Sequence, residues 1–130
     1  MLLGTIALAT LLPACANSRN AIVSCRLDEP SLVLTAQAVP SATLLPCVSE
    51  LPAGWSYAGA DIRSDRARFW LDSDRGGFHA VEVELRQTCD TSEAVEVRPA
   101  PDEAGARVFA EPIALEPALW ANRYVLFPGG

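Results

Sequence analysis

Three stretches of the chain carry residue types at spacings that could do chemistry. In Asp72-Ser73-Asp74-Arg75-Gly76-Gly77, two carboxylates precede glycines, as in loops that wrap a calcium ion. The match then fails, because the third carboxylate position holds Gly76 and the twelfth, where a bidentate glutamate would close the shell, holds Val83. A tight hairpin turn uses the same residues, since Asp and Ser bond nearby amides and glycine accepts positive φ. The turn is the preferred reading, and no metal or other cofactor is expected. Gly54-Trp55-Ser56-Tyr57-Ala58 invites comparison with a nucleophile elbow, but Ala58 stands where the second glycine belongs and no helical pattern follows. His79 is the single histidine. Its alternation with Val81 and Val83 predicts a structural side chain on a buried face. Glu82 and Glu84 share one side of the same strand, about 7 Å apart, a spacing at which two carboxylates can act on a glycoside. No aromatic on that face would split their pKa values, so a solvated face is preferred. No catalytic residue is assigned. The candidates for ligand contact are Asp72 and Asp74, together with Trp55 and Tyr57, which share one side of an extended segment and could offer a stacking surface.

These residues must be positioned by strands. The clearest element is a hairpin, Ala67 to Leu71 returning through the Asp72–Gly77 turn into a strand in which His79, Val81, Val83 and Leu85 alternate with Ala80, Glu82, Glu84 and Arg86, the period-two pattern of a half-buried strand. Val95 and Val97 repeat it beside Glu96 and Arg98. Further extended segments are read at Ala21 to Arg26, Leu44 to Val48, Ser56 to Ile62, Arg107 to Ala110 and Tyr124 to Phe127. Ser31 to Ala38, bounded by Pro30 and Pro40, reads as a buried strand. Leu115 and Leu119, four apart, suggest one helical turn after Pro117. Strands joined by short turns predict a mainly β fold, a single antiparallel β-domain built as a sandwich or small rolled sheet.

Composition narrows the partners. The 130 residues are half apolar, and 16 acids against 10 bases leave a net charge of −6. Nucleic acid is therefore not an expected partner, since a phosphate backbone asks for a basic face. From Met1 to Leu12 the chain is an uncharged apolar run of the length of a signal-peptide core, with no Lys or Arg ahead of it. At about 1.5 Å per residue that stretch, even extended to Ala16, falls short of a hydrocarbon core of about 30 Å. The sequence thus divides into a signal peptide over 1–14, a tether over 15–24 and an extracytoplasmic β-rich domain over 25–130.

Leu12-Pro13-Ala14-Cys15 resembles a bacterial lipobox, which implies cleavage before Cys15 and a lipid on its thiol. The membrane is then a partner through that lipid. The overlapping Ala14-Cys15-Ala16 also fits an ordinary signal-peptidase site, with release of a free protein. Export places the remaining cysteines, Cys25, Cys47 and Cys89, in an oxidising compartment. Four unlipidated cysteines could pair in any of three ways, and the sequence alone does not choose; Cys25 with Cys47 is the preferred disulfide, worth about 3 kcal/mol on the chain-entropy account. Cys89 is then left over.

The stretches Ala36 to Ala42, Leu51-Pro52-Ala53-Gly54-Trp55, Phe69 to Arg75 and Tyr124 to Gly130 resemble a group of uncharacterised exported proteins and lipoproteins of actinobacteria. The resemblance implies a location and no activity. It also implies that a cysteine follows the terminal Phe-Pro-Gly-Gly turn and pairs with Cys89, so the domain is expected to continue past Gly130. The resulting expectation is an exported, lipid-anchored envelope module with a binding or structural role, whose partner is an envelope protein or glycan. The alternative is a small exported hydrolase using Asp72, Asp74, Glu82 and Glu84.

Overall fold

A computed structural model describes residues 22–115 and 118–129. The expected leader and Cys15 lie outside the described residues. The fold is mainly β, as the alternation predicts, and the described residues form two antiparallel three-stranded sheets and no barrel. The first sheet has the order β1-β2-β3 and comprises β1 (Trp55–Arg63), β2 (Arg66–Ser73) and β3 (Gly77–Arg86). The second has the order β4-β5-β6, from β4 (Val95–Val97), β5 (Arg107–Leu115) and β6 (Ala118–Leu126). A 3₁₀ turn at Pro101–Glu103 lies between β4 and β5.

Pleating sends alternate residues of the first sheet to opposite faces. Ala67, Phe69 and Leu71 of β2 lie beside Leu85, Val83 and Val81 of β3 in the paired register. They form the core face with Ala60 and Ile62 of β1. Arg66, Arg68 and Trp70 take the other face, opposite Arg86, Glu84 and Glu82. The core face is covered by a helix, α1 (Pro30–Ala38), and by coil. Val23 and Leu32 close over Ala60 and Phe69, while Ala38 and Val39 close over Ala67 and Leu85.

The helix corrects the strand expected over Ser31–Ala38. Pro30 sits at the first helical position, where its fixed φ suits a helix and its missing N–H costs nothing. Ser31, Leu32, Thr35 and Ala38 are the buried positions, the i, i+1, i+4, i+7 stripe of one helical face. Val33 and Leu34 are exposed on the other side, so apolar residues all round conceal the period. Pro40 disfavours helical backbone at Val39 and ends the element there. The helical turn expected after Pro117 is also corrected, since β6 begins at Ala118 and pairs Leu119 with Ala114 in a long hairpin with β5. Residues 22–24, assigned to the tether, belong to the fold. Val23 is buried, its N–H donates to the Tyr57 hydroxyl at 3.2 Å, and Ser24 bridges Val48 in parallel.

Among the described residues, no side chain of β4, β5 or β6 belongs to the two core clusters of the first sheet. The join is made by the segment after β6. Phe127 packs against the cluster of Ala38, Val39, Ala67 and Leu85, and Thr43 Oγ1 donates to the Pro128 carbonyl at 2.8 Å. Gly129, at φ +89°, lies against the Ser41 carbonyl so closely that no Cβ would fit.

Candidate ligand groove

The expected disulfide is present, Cys25 to Cys47 across 22 positions. It ties the segment before β1 to the chain that enters α1. Two hydrogen bonds reinforce it, Val48 N–H to the Val23 carbonyl at 2.8 Å and Cys25 N–H to the Val48 carbonyl at 3.2 Å. Cys89 is half-buried and unpaired among the described residues. Beyond the bridge, residues 48–52 run along the β2–β3 end of the core face without covering it. The result is an open groove of about 380 Å³, with Phe69, Leu71, Val81 and Val83 as floor and the Cys47–Pro52 segment and Trp55 as walls. Val81 in the floor is 36 % exposed. Among the described residues, Glu50 is the only ionisable side chain lining it.

The sequence candidates divide between this groove and the frame that holds it. Trp55 lines the groove. Tyr57 does not join it as a free stacking surface, for its ring stacks on Phe69 with centroids 5.9 Å apart and its hydroxyl accepts the Val23 N–H. Burial raises the Tyr57 pKa above the ordinary phenol value, and the Val23 hydrogen bond partly opposes the rise. Asp72 and Asp74 hold the hairpin turn. Asp72 Oδ1 accepts the His79 N–H at 2.8 Å, and Asp74 N–H donates to the Gly54 carbonyl at 2.9 Å. Ser73 Oγ accepts from the Arg75 and Gly76 amides. These bonds close the hairpin turn between β2 and β3.

His79 departs from the expected buried face. The register between β2 and β3 passes from Leu71–Val81 to Ser73–Gly77, so Phe78, His79 and Ala80 together oppose Asp72. This bulge places His79 at φ 51°, exposed, with its imidazole stacked on Trp70 at 5.2 Å. A bulge breaks strict alternation at the residue where the extra length is inserted. Phe78 at the same place is 89 % exposed.

Glu82 and Glu84 lie on the face opposite the groove floor, where Trp70, paired with Glu82 across the strands, is an aromatic the sequence reading did not place there, and neither glutamate is free. Glu82 accepts the Trp70 indole N–H at 2.5 Å and lies 3.6 Å from Arg68. Glu84 pairs with Arg86 and stands 4.0 Å from Arg68. The Arg68 guanidinium sits over the Trp70 ring at 5.0 Å. Asp61 completes this layer, accepting from Arg63 Nε at 2.8 Å and Arg68 at 3.4 Å, and the Arg63 hydrogen bond holds its carboxyl below the ordinary aspartate value. Of the four acids of the hydrolase alternative, Asp72 bonds within the turn, Glu82 and Glu84 belong to this charged ladder, Asp74 joins the turn through its backbone N–H, and none of them lines the groove.

Sequence reasoning missed Glu50, Leu51, Val81 and Val83 as groove residues. Period two identified Val81 and Val83 as core-facing, but a groove exists where cover stops, and no local pattern records where a coil segment stops covering a sheet. The Leu51-Pro52-Ala53-Gly54 turn beside Cys47 was the available signal. Comparisons with protein families, curated proteins and solved structures gave no match.

Proposed function

We propose that this chain is an extracytoplasmic binding module, held at the membrane by a lipid on Cys15, that engages an envelope partner through the groove beside the Cys25–Cys47 bridge. The observation that carries the reading is the bridge itself. Disulfides persist in oxidising compartments, and this one fixes the wall of an otherwise open apolar groove. The disulfide is consistent with a location outside the cytoplasm. The described residues contain no helix long and apolar enough to cross a membrane, so attachment in this reading falls to the lipid. A preformed apolar concavity with few polar liners is the ordinary form of a binding site. The test is the mass of the mature amino terminus after expression of the chain in a bacterium with lipoprotein processing. A diacylated or triacylated Cys15, lost in Cys15→Ser, is the expected result. A mature chain beginning at Asn17 overturns the anchor.

A further inference from the structure

We propose that the row of arginines Arg63, Arg66 and Arg86, at the end of the outward face of the first sheet, binds a phosphate monoester group. The row lies on the face opposite the groove, and the inference rests neither on the groove nor on the lipid anchor. Arg66 of β2 pairs with Arg63 of β1 on one side and with Arg86 of β3 on the other, so three guanidinium-bearing side chains stand side by side. Neighbouring strands lie about 4.8 Å apart, so the outer two arginines start about 10 Å apart, a span that such long side chains can close on one ligand. Like charges directly opposite one another across strands are destabilising, and here that penalty is incurred twice in one row.

The nearby carboxylates do not discharge the row. Asp61, Arg68 and Glu84 form the next row inward, so its two acids serve four arginines. Asp61 accepts Arg63 Nε at 2.8 Å and Glu84 accepts Arg86 Nε, and both acids are shared with Arg68 at 3.4 and 4.0 Å. Each flanking guanidinium is thus held by its Nε edge, while its terminal nitrogens bond no described residue. Arg66 has less still. Its approach to Asp61 Oδ2, 3.6 Å, is too long for a hydrogen bond, and its buried Nε has no partner among the described residues. Its side chain is 25 % exposed, between neighbours exposed at 66 % and 52 %, so the middle cation is recessed and the outer two are open to solvent. A recessed cation without hydrogen bonds carries a desolvation penalty that an oxyanion placed against it offsets. Asp65, in the turn between Arg63 and Arg66, forms no ion pair with the row, and Glu82 lies one row further in, bonded to Trp70. A carboxylate presents two oxygens in one plane, which a single guanidinium fills, whereas a phosphate monoester presents three oxygens and a charge near −2. A nucleic-acid backbone fits less well, because each diester carries a single charge and the chain as a whole is at −6.

The experiment titrates the full chain, with its disulfide intact, with glycerol phosphate, following the arginine Nε–Hε resonances by NMR. Sodium acetate is the control, and vesicles of phosphatidate in phosphatidylcholine present the same group on a lipid. Saturable shifts at Arg63, Arg66 and Arg86, and none at the exposed Arg26–Asp28 pair, are expected. They should be stronger at about pH 8 than at about pH 5, because the monoester gains its second charge near about pH 6. Arg66→Gln should weaken binding about tenfold or more, the loss of a charge-assisted contact, and its stability in urea without phosphate should not fall, since it relieves the like-charge row. Arg86→Gln, at the exposed end of the row, gives a second reading and should weaken binding about fivefold. Capture on phosphatidate vesicles that glycerol phosphate reverses assigns the group to a lipid headgroup, and binding of glycerol phosphate without capture assigns it to a soluble ester; both support the site. No saturable shift, an equal response to acetate, an equal shift at Arg26, or indifference to both substitutions each overturns the proposal.

Discussion

Removing the Cys25–Cys47 bridge by the double change Cys25→Ala, Cys47→Ala gives a sharp test of how the groove wall is held. The bridge closes a loop with a sequence separation of 22. The chain-entropy relation for a loop of this length gives about 3.4 kcal/mol of stabilisation at 25 °C, acting through the unfolded state. For a domain of this size that corresponds to a fall in Tm of about 14 °C. Urea unfolding followed by circular dichroism would report it, with Cys89 alkylated in all samples so that no new disulfide forms. The denaturant slope should rise, because the unfolded chain without the bridge is more expanded. The two hydrogen bonds of Val48 to Val23 and Cys25 remain available, so the fold should persist while exchange of the Val48 amide accelerates. A loss below about 1 kcal/mol would refute the entropic account. Unchanged Val48 exchange would show that the wall is held by its hydrogen bonds and the core, and that the bridge is incidental to the groove.

Three further predictions test the frame. Gly54 has φ +84°, and a Cβ there would stand 2.6 Å from Asp74 Oδ2; Gly54→Ala should therefore cost about 1–2 kcal/mol in urea unfolding, since a left-handed backbone already penalises a side chain by that order. Asp65, at φ 76° in the turn joining β1 to β2, is the opposite case, and Asp65→Gly should raise stability by up to about 1 kcal/mol. The hydrogen bond its N–H donates to the Ala38 carbonyl, 2.8 Å, is kept. Glu103 receives Arg123 Nη2 at 2.6 Å and the Ala100 amide at 2.7 Å, and both hold its carboxyl below the ordinary glutamate value. A carboxyl depressed in the fold contributes stability that is present above the unfolded pKa and lost as pH falls through the folded one. Acid unfolding of Glu103→Gln should thus lack part of that dependence, and a carboxyl NMR titration of the parent should place Glu103 under the usual range.

The sequence was most legible where the period was clean. Val95–Val97 and the β2–β3 hairpin follow from alternation, and Cys25–Cys47 was the preferred pair among connectivities that the cysteine count left open. Legibility failed where a second demand overrode the local signal. In α1 the outward Val33 and Leu34 are as apolar as the inward Leu32, so no moment distinguished helix from buried strand. At Leu115 and Leu119 a four-residue spacing suggested a helix, yet long-range pairing of β5 with β6 decided the conformation. At His79 two extra residues in one strand turned an inward prediction outward. The candidate site was legible only in part, because Trp55 is local in sequence whereas the groove it lines is assembled from β2, β3 and the wall beyond Cys47.

Phe127 follows the last residue of β6, yet its ring sits among Ala38, Val39, Ala67 and Leu85 under the first sheet. The C-terminal end of the second sheet thus works as a latch on the first. Tension applied at that end would reach the Phe127 plug and the Thr43–Pro128 bond before it could unzip β5 from β6. A chain shortened after Leu126 would lose that load path, and its two sheets should then open as separate cooperative units.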